Sequence, residues 1–521
     1  MNHLLSLLLF LAATPWRVSA SIGPVANLEI LNAEIAPDGF KRSTVLAGGT
    51  FPGPLIRGNK NAKFAINVID SLTDTSMNVA TSIHWHGLFQ QHTNYVDGPA
   101  FVTQCPIVPG HSFLYDFQAL NQAGTYWYHS HFQNQYCDGL RGALVVYDLD
   151  DPHLKLYDID NESTVITLAD WYHYLSTDAP SVPDVSSTLI NGKGRFPGGP
   201  TDVDLAVVNV TKGKRYRFRL VSISCDPNFT FSIDNHVMII IEVDSVNVKP
   251  LRVDSIQIFA GQRYSFVLKA NQTPANYWMR SLPPDGTHAD FAHLAVLHYL
   301  DDGVPNAHPK VDPTDNIPIS VSPLVETHLR VSGLCLPGQP KPGGADININ
   351  LAIAFESGSF TVNGASFQSP SVPVLLQILS GKQNASDLLP SGSVYGLEAN
   401  KSVELTIPAL VVAGPHPIHL HGHSFHVVRS AGSTSYNFVN PVVRDVVSIG
   451  TSASDLVTIR FFTDNPGPWF LHCHIDWHLN AGLAVVFAEG VPEVPKQDIT
   501  TNSWDDLCPT YNNFVSSTGH T

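Results

Sequence analysis

The stretch W-F-L-H-C-H-I-D-W-H-L-N-A-G-L, residues 469–483, sets Cys473 between His472 and His474 and follows them with His478. The run P-W-F-L-H-C at 468–473 reads as a β-strand, in which successive side chains point to opposite faces. Cys473 then faces one way and His472 and His474 the other, so one short segment feeds two different metal sites. A thiolate with two imidazoles and a weak or missing axial ligand is the trigonal arrangement of a blue copper centre. His478, five residues beyond the cysteine, is placed to supply one of those imidazoles. The opposite face needs partners from elsewhere in the chain.

Those partners come in pairs. H-W-H-G (His84, His86) and Y-H-S-H (His129, His131) stand early in the chain, and H-P-I-H-L-H-G-H (His416, His419, His421, His423) precedes the opening stretch. Residues i and i+2 of a strand share a face, with side chains roughly 6–7 Å apart, so each pair can address two neighbouring metals. A lone H-x-H is more often a surface or core feature, because metal use needs a complete coordination set. Four such pairs supply eight imidazoles, enough for three ions with an open face. Zinc also takes His and Cys, but one cysteine among many paired imidazoles suits copper better.

The rest of the chain reads as scaffold for these pairs. Its 521 residues exceed what one core organises, and roughly 150 residues per domain gives about three domains. Helix signals are scarce, whereas short β-rich runs recur at 64–69, 112–117, 125–131, 143–147, 164–169, 216–221, 264–268, 403–407 and 483–487. With 37 Gly and 38 Pro as punctuation, the pattern is all-β. The D-L-D-D-P segment at 148–152 and the Pro-rich 305–323 divide the chain into units 21–151, 152–320 and 321–521. The middle unit holds His236, His288, His293 and His298 but no comparable pair, and reads as spacer and wall.

Residues 1–20 read as a signal peptide, with an apolar core at 4–13 and small residues Ser19 and Ala20 at the cleavage site. That core is well short of the roughly 20 residues of a membrane span, and a soluble, secreted, extracellular protein with no membrane partner is expected. Sequons at Asn161, Asn209, Asn228, Asn271, Asn384 and Asn400 fit glycosylation on an export route. The net charge of −16 argues against nucleic acid or an anionic membrane surface as a partner. With Cys473 reserved for metal, five of the six cysteines remain, so one is free or paired externally.

The four histidine motifs, in this order, resemble those of the multicopper oxidases. Much of the chain is similar to secreted basidiomycete-type laccases, through S-I-G-P-V-A-N-L-E-I, V-D-G-P-A-F-V-T-Q-C-P-I, C-D-G-L-R-G-A-L-V-V-Y-D, T-L-I-N-G-K-G-R, D-L-L-P-S-G-S-V-Y and D-N-P-G-P-W-F-L-H-C-H-I-D-W-H. The resemblance implies three cupredoxin-like Greek-key β-barrels and four copper ions per chain. By position it assigns His416, Cys473 and His478 to the type 1 copper and His84 and His419 to the type 2 copper. It assigns His86, His129 and His474 to one type 3 copper, and His131, His421 and His472 to the other. His111, His423 and His426 fall outside this set and read as structural or surface residues. Disulfides Cys105–Cys508 and Cys137–Cys225 are also implied, with Cys335 left without a counterpart.

Small blue proteins usually carry an axial methionine shortly after the second histidine, but the methionines here are Met1, Met77, Met238 and Met279. Leu483 occupies the axial place, where many relatives of this type carry Phe, and a non-coordinating residue there raises the copper potential. By resemblance Asp226, in S-C-D-P-N, binds a phenol or aniline and accepts its proton while His478 accepts the electron. An Asp-Pro turn residue is the plainer reading. Asp97 and Asp476 resemble acids that deliver protons to reduced oxygen, and Asp476 equally reads as an anchor for a ligand. The stretch D-G-T-H-A-D-F-A-H-L-A-V-L-H at 285–298 departs from the glycine-rich loop often found near the phenol pocket.

The expected activity is that of a laccase acting on small phenolic or aromatic amine donors and dioxygen, as a monomer, in the breakdown or detoxification of lignin or other phenolics. An oxidase of ferrous iron or ascorbate is the nearest alternative, and would need further carboxylates at the donor site. A non-enzymatic copper carrier would leave the paired histidines without a purpose. Loss of a ligand would point to an oxidase-derived structural protein, and all ten histidines and the cysteine are present.

Overall fold

The computed structural model describes residues 21–226, 228–284, 292–300, 320–331, 333–390, 392–497 and 500–520. The expected signal peptide, most of the Pro-rich 305–323 and the first half of 285–298, with His288, lie outside them. Nine of the nine β-rich runs read from the sequence fall on strands. Lys63–Ser71 and Ser112–Gln118, for example, pair antiparallel with Phe64 opposite Phe117 and Ile66 opposite Tyr115. Alternate residues of both strands are buried, as expected of a sheet with one face on a core.

Two main sheets make each unit, and the last adds a small hairpin of Ile353–Glu356 with Ser359–Val362. In the first, strands Arg42–Ala47, Val25–Ile35, Lys63–Ser71 and Ser112–Gln118 lie side by side in that order, and Gly53–Asn59, Arg141–Tyr147, Gly124–Ser130 and Ile83–His86 form the second sheet. The middle unit has a six-stranded sheet from Ser187–Ile190 to Val246–Val253 and a five-stranded one from Val207–Thr211 to Ser255–Ile258. The last unit has two five-stranded sheets, of which the second runs Val394–Leu397, Ala484–Glu489, Gly467–Cys473, Pro417–Leu420, Val446–Ser448. Every unit mixes antiparallel neighbours with parallel pairs, such as Val25–Ile35 with Lys63–Ser71, Val165–Trp171 with Arg215–Ser222, and Val394–Leu397 with Ala484–Glu489. Parallel pairing needs a crossover connection, and its recurrence marks one sandwich topology used three times.

The units do not keep separate cores. Phe470, Val486 and Val494 of the last unit pack with Ile83, Trp85 and Leu144 of the first. The helix Leu507–Thr518, which the sequence reading did not anticipate, returns to the first unit. Its Tyr511 meets Phe101 and Phe132, the preceding Trp504 donates its indole N–H to the Thr103 carbonyl, and Cys508 is disulfide-bonded to Cys105. A second disulfide joins Cys137 to Cys225, across the first and middle units. Cys335 is free and exposed.

Candidate metal centre

Cys473 ends the strand Gly467–Cys473 and is fully buried. Its neighbour Pro417–Leu420 pairs antiparallel, with Ile418 opposite Cys473, and this brings His416, two residues before Ile418, beside the thiol. His478 arrives from the short helix Asp476–Asn480. The Cys473 sulfur lies 3.7 Å from His416 Nδ1 and 3.6 Å from His478 Nδ1, and those nitrogens are 3.1 Å apart. The Leu483 carbonyl accepts the Cys473 N–H (3.1 Å), and its N–H donates to the His478 carbonyl (2.9 Å), which closes the loop on itself. Leu483, Leu351, Ile353 and Ile418 line an apolar cavity against Cys473, so the axial side offers no fourth ligand atom. Burial lowers both imidazole pKa values, that of His478 to about 3. Both rings are then neutral and free to ligate. Burial pushes the thiol up, so a bound cation is what makes it a thiolate.

The eight paired imidazoles form a second, larger cluster. His84 stands opposite His129 across one strand pair and His419 opposite His472 across another. The two sheets meet ring to ring, His84 stacked on His421 at 3.9 Å and His86 on His419 at 3.8 Å. Within each H-x-H pair the ring centroids lie 5.7, 5.6, 4.7 and 5.6 Å apart for His84/86, His129/131, His419/421 and His472/474. Three sets emerge whose ligand atoms lie within 4.8 Å of one another, namely His84, His86 and His419; His86, His129 and His474; and His131, His421 and His472.

The outer nitrogens are tied down. Nδ1 of His84, His129, His419 and His472 meets the carbonyl of Asp97, Ser130, Asp445 and Cys473 respectively, each at 2.8 Å. His421 Nδ1 meets Asp97 Oδ2 at 2.8 Å. Donation at Nδ1 fixes the tautomer and leaves the Nε2 lone pair pointing inward. His86 is reversed, with Nε2 on Asp445 Oδ1 (3.3 Å) and Nδ1 inward, 3.2 Å from His474 Nε2. Burial first, then crowding by the other rings, lowers the pKa values of His129, His131, His419 and His421 well below the usual 6.5. These rings are neutral at ordinary pH.

That arrangement tests the fit of a metal. Nε2 of His84, His129, His131 and His419 is buried with no hydrogen-bond partner, and each such orphan costs about 1–3 kcal/mol. The Nε2 atoms of His421 and His472 face each other at 3.0 Å, two inward lone pairs with a shared target. Converging neutral imidazole nitrogens beside a site with one thiol are the donor set for copper.

Asp97 is buried between His84 and His421, its Oδ1 3.3 Å from His84 Nδ1. It therefore anchors imidazoles from both halves. Asp476 is buried, its carboxylate met by Asn134 Nδ2 (3.2 Å), and its pKa is raised by burial. Asp226 is partly exposed, and its N–H and that of Cys225 donate to the buried Asp170. Burial and then the Asp170 carboxylate raise its pKa to about 7. His423 is buried against Glu489 (3.1 Å), His426 is half-buried and His111 exposed.

The sequence reading missed Asp445 and Arg263. Asp445 takes both guanidinium N–H groups of Arg263 (2.5 and 2.7 Å) while touching His86. The signal lay in V-V-R-D-V-V at 442–447, a charged pair inside an apolar run. Gly261, at φ +83°, abuts the cluster so closely that a Cβ there would sit 2.8 Å from His474 and 3.1 Å from His86. The middle unit, expected as spacer and wall, thus abuts one side of the histidine cluster at Gly261.

Comparison with known proteins agrees with this geometry. Family models described as multicopper oxidase match residues 29–151, 162–302 and 367–493, and the chain is 59% identical to a laccase of Trametes hirsuta over 98% of both chains. The chain belongs to the multicopper oxidases, in their laccase branch. Its copper is therefore the family's cofactor, and its β units are the family's cupredoxin-like domains. Among solved structures, the oxidase superposes on the laccase of Botrytis aclada with a TM-score of 0.78 at 31% identity, covering 96% and 93% of the two chains. Fet3p, a multicopper oxidase that functions in iron import, gives the same TM-score at 26% identity, with 94% and 95% covered. Backbone shape alone does not separate the two activities; sequence identity favours the laccases. Of the oxidase's six sequons, Asn161, Asn209, Asn271, Asn384 and Asn400 are exposed, whereas Asn228 is buried and accepts from Gln257. No helix of the described residues is long and apolar enough to cross a membrane.

Proposed function

We propose that the oxidase holds four coppers and takes single electrons from small phenols or aromatic amines, coupling four such oxidations to reduction of dioxygen to water. His416, Cys473 and His478 would hold the type 1 ion, His84 and His419 the type 2 ion, and the sets His86, His129, His474 and His131, His421, His472 the type 3 pair. Copper, when bound, supplies the one-electron and dioxygen chemistry. The observation that carries the reading is Cys473 itself, whose main chain runs without a break into His472 on one side and His474 on the other, a through-bond link between the two centres.

The remaining chemistry belongs to the chain. His478 is the less buried imidazole of its site, and its ring edge is where a donor meets the protein. Asp226 accepts the phenolic proton at its carboxylate, held by the backbone bonds to Asp170. The apolar surroundings of Cys473 keep water from the thiolate. Asp97 holds His84 and His421 in place and would hand protons on to reduced oxygen. Asp476, carrying its proton because of burial, is a second store. Secretion, glycosylation at the exposed sequons, a monomeric state and a part in the breakdown of lignin or other phenolics complete the proposal.

The test is oxygen uptake by copper-loaded protein with a methoxyphenol. About four phenols consumed per dioxygen, with no peroxide, is the outcome expected of a four-electron site. Full copper loading with no uptake sinks the phenol assignment and moves the donor to ferrous iron or ascorbate.

A further inference from the structure

Eight imidazoles shared between two units must be held in register by something besides the metals. The histidine-bearing strands Ile83–His86 and Pro417–Leu420 both run out into tight turns, Gly87 to Phe89 after the first and Gly422 after His421. The buried side chain of Asn465 lies between these turns. Its Nδ2 donates to the Phe89 carbonyl at 2.7 Å and to the Gly422 carbonyl at 3.0 Å. Both partners are carbonyl oxygens, so of the two ends of the Asn465 carboxamide it is the NH2, with its two donors, that serves them together.

Asn465 is itself fixed. Its N–H donates to Glu489 Oε1 (2.7 Å), and its carbonyl accepts the Trp469 indole N–H (2.5 Å). The Trp469 ring leaves no room for a Cβ on Gly422, which would fall 2.4 Å from it. Two residues later begins Gly467–Cys473, the strand that carries His472. On the first unit's side, Gln122 pins the same turn by donating to the Gly87 carbonyl and accepting from the Phe89 N–H, both at 2.9 Å.

We propose that Asn465 is a positioning residue for the trinuclear copper cluster, a clip that sets the spacing between the His84/His86 and His419/His421 pairs. It touches no metal and no ligand ring. Its effect passes through the two turns, and therefore falls on the ions shared between units and not on the type 1 ion, whose ligands all come from the last unit. The inference rests on the copper assignment above.

The experiment compares Asn465→Asp with the unaltered full-length protein, both copper-loaded. Asp keeps the size but removes both donors. Total copper per chain, the blue thiolate-to-copper absorption, the type 2 electron paramagnetic resonance signal and the rate of copper loss to a chelator are followed, with thermal unfolding alongside. Loss of a group that orients ligands typically weakens metal binding about 10- to 10²-fold. The variant should keep its blue absorption, lose cluster copper to chelator faster by about that factor, and show an altered type 2 signal. Gln122→Met, which frees one turn only, should give a smaller change in the same direction. If the Asp variant does not fold, Asn465→Ser is measured the same way. A lower unfolding temperature with cluster copper retained as in the unaltered chain, or equal loss from both centres, overturns the proposal. An unaltered chain that binds only one copper refutes the copper assignment instead, before any variant is compared.

Discussion

Asp226 carries the most direct prediction about the donor. Its pKa, raised to about 7 by burial and Asp170, places its ionisation above the usual carboxylate range near 4. A proton acceptor works only when ionised, so phenol turnover should fall as pH drops from about 7 towards 4. A donor that carries no proton, such as ferrocyanide, should lack that limb. Asp226→Asn should remove the limb and cost phenol oxidation about 10²-fold, with ferrocyanide oxidation little changed, as read from kcat/KM profiles. A limb that survives in the variant assigns the proton elsewhere. Leu483 gives a second test. Leu483→Met offers a thioether to the type 1 ion, which should lower its potential, each 59 mV being about a tenfold shift of a one-electron equilibrium; redox titration of the blue band measures it.

At this scale the sequence was legible wherever chemistry is written in adjacent residues. The H-x-H pairs and H-C-H announce themselves because strand alternation turns spacing into direction. Asp445 and Arg263 do not, since their partnership spans 182 residues and exists only once the sheets have packed. Asn465 was hidden for the same reason, lying 376 residues from Phe89.

Among elements, the turn that carries Gly261 decides how close the middle unit comes to the cluster. Gly261→Ala combines a left-handed backbone, costing about 1–3 kcal/mol for a side-chain-bearing residue, with a Cβ pressed on His474 and His86. Lower thermal stability and a disturbed type 3 absorption with an intact blue band are expected; an unchanged type 3 signal would show that the turn can move aside. The strands themselves were read well, because alternation and turn residues are local. The 12-residue helix Leu507–Thr518 was not, since its exposed face is polar and only Leu507 and Tyr511 are buried in it, too sparse a pattern to stand out from loop.

Across the whole molecule, the Cys105–Cys508 disulfide closes a loop of 403 residues and fastens that helix to the first unit. Replacing both cysteines by serine should cost about 2–4 kcal/mol, and amide exchange should rise first over Leu507–Thr518. Copper removal acts on all units together. A ligand bound only by the folded state adds about 1.4 kcal/mol per tenfold excess over its dissociation constant, so stripping copper should lower the unfolding temperature and its return should restore it.

The pairing of His86 with His474, 388 residues apart, also sets a clock. At a synthesis rate of about 5–20 residues per second, the first imidazole leaves the ribosome about 20–80 s before the second exists. For that interval the nascent protein holds the imidazoles of its first unit without the ones from the last unit that complete each set. The cluster can therefore close only after nearly the whole chain has been made, because its last imidazole, His474, lies 388 residues beyond His86.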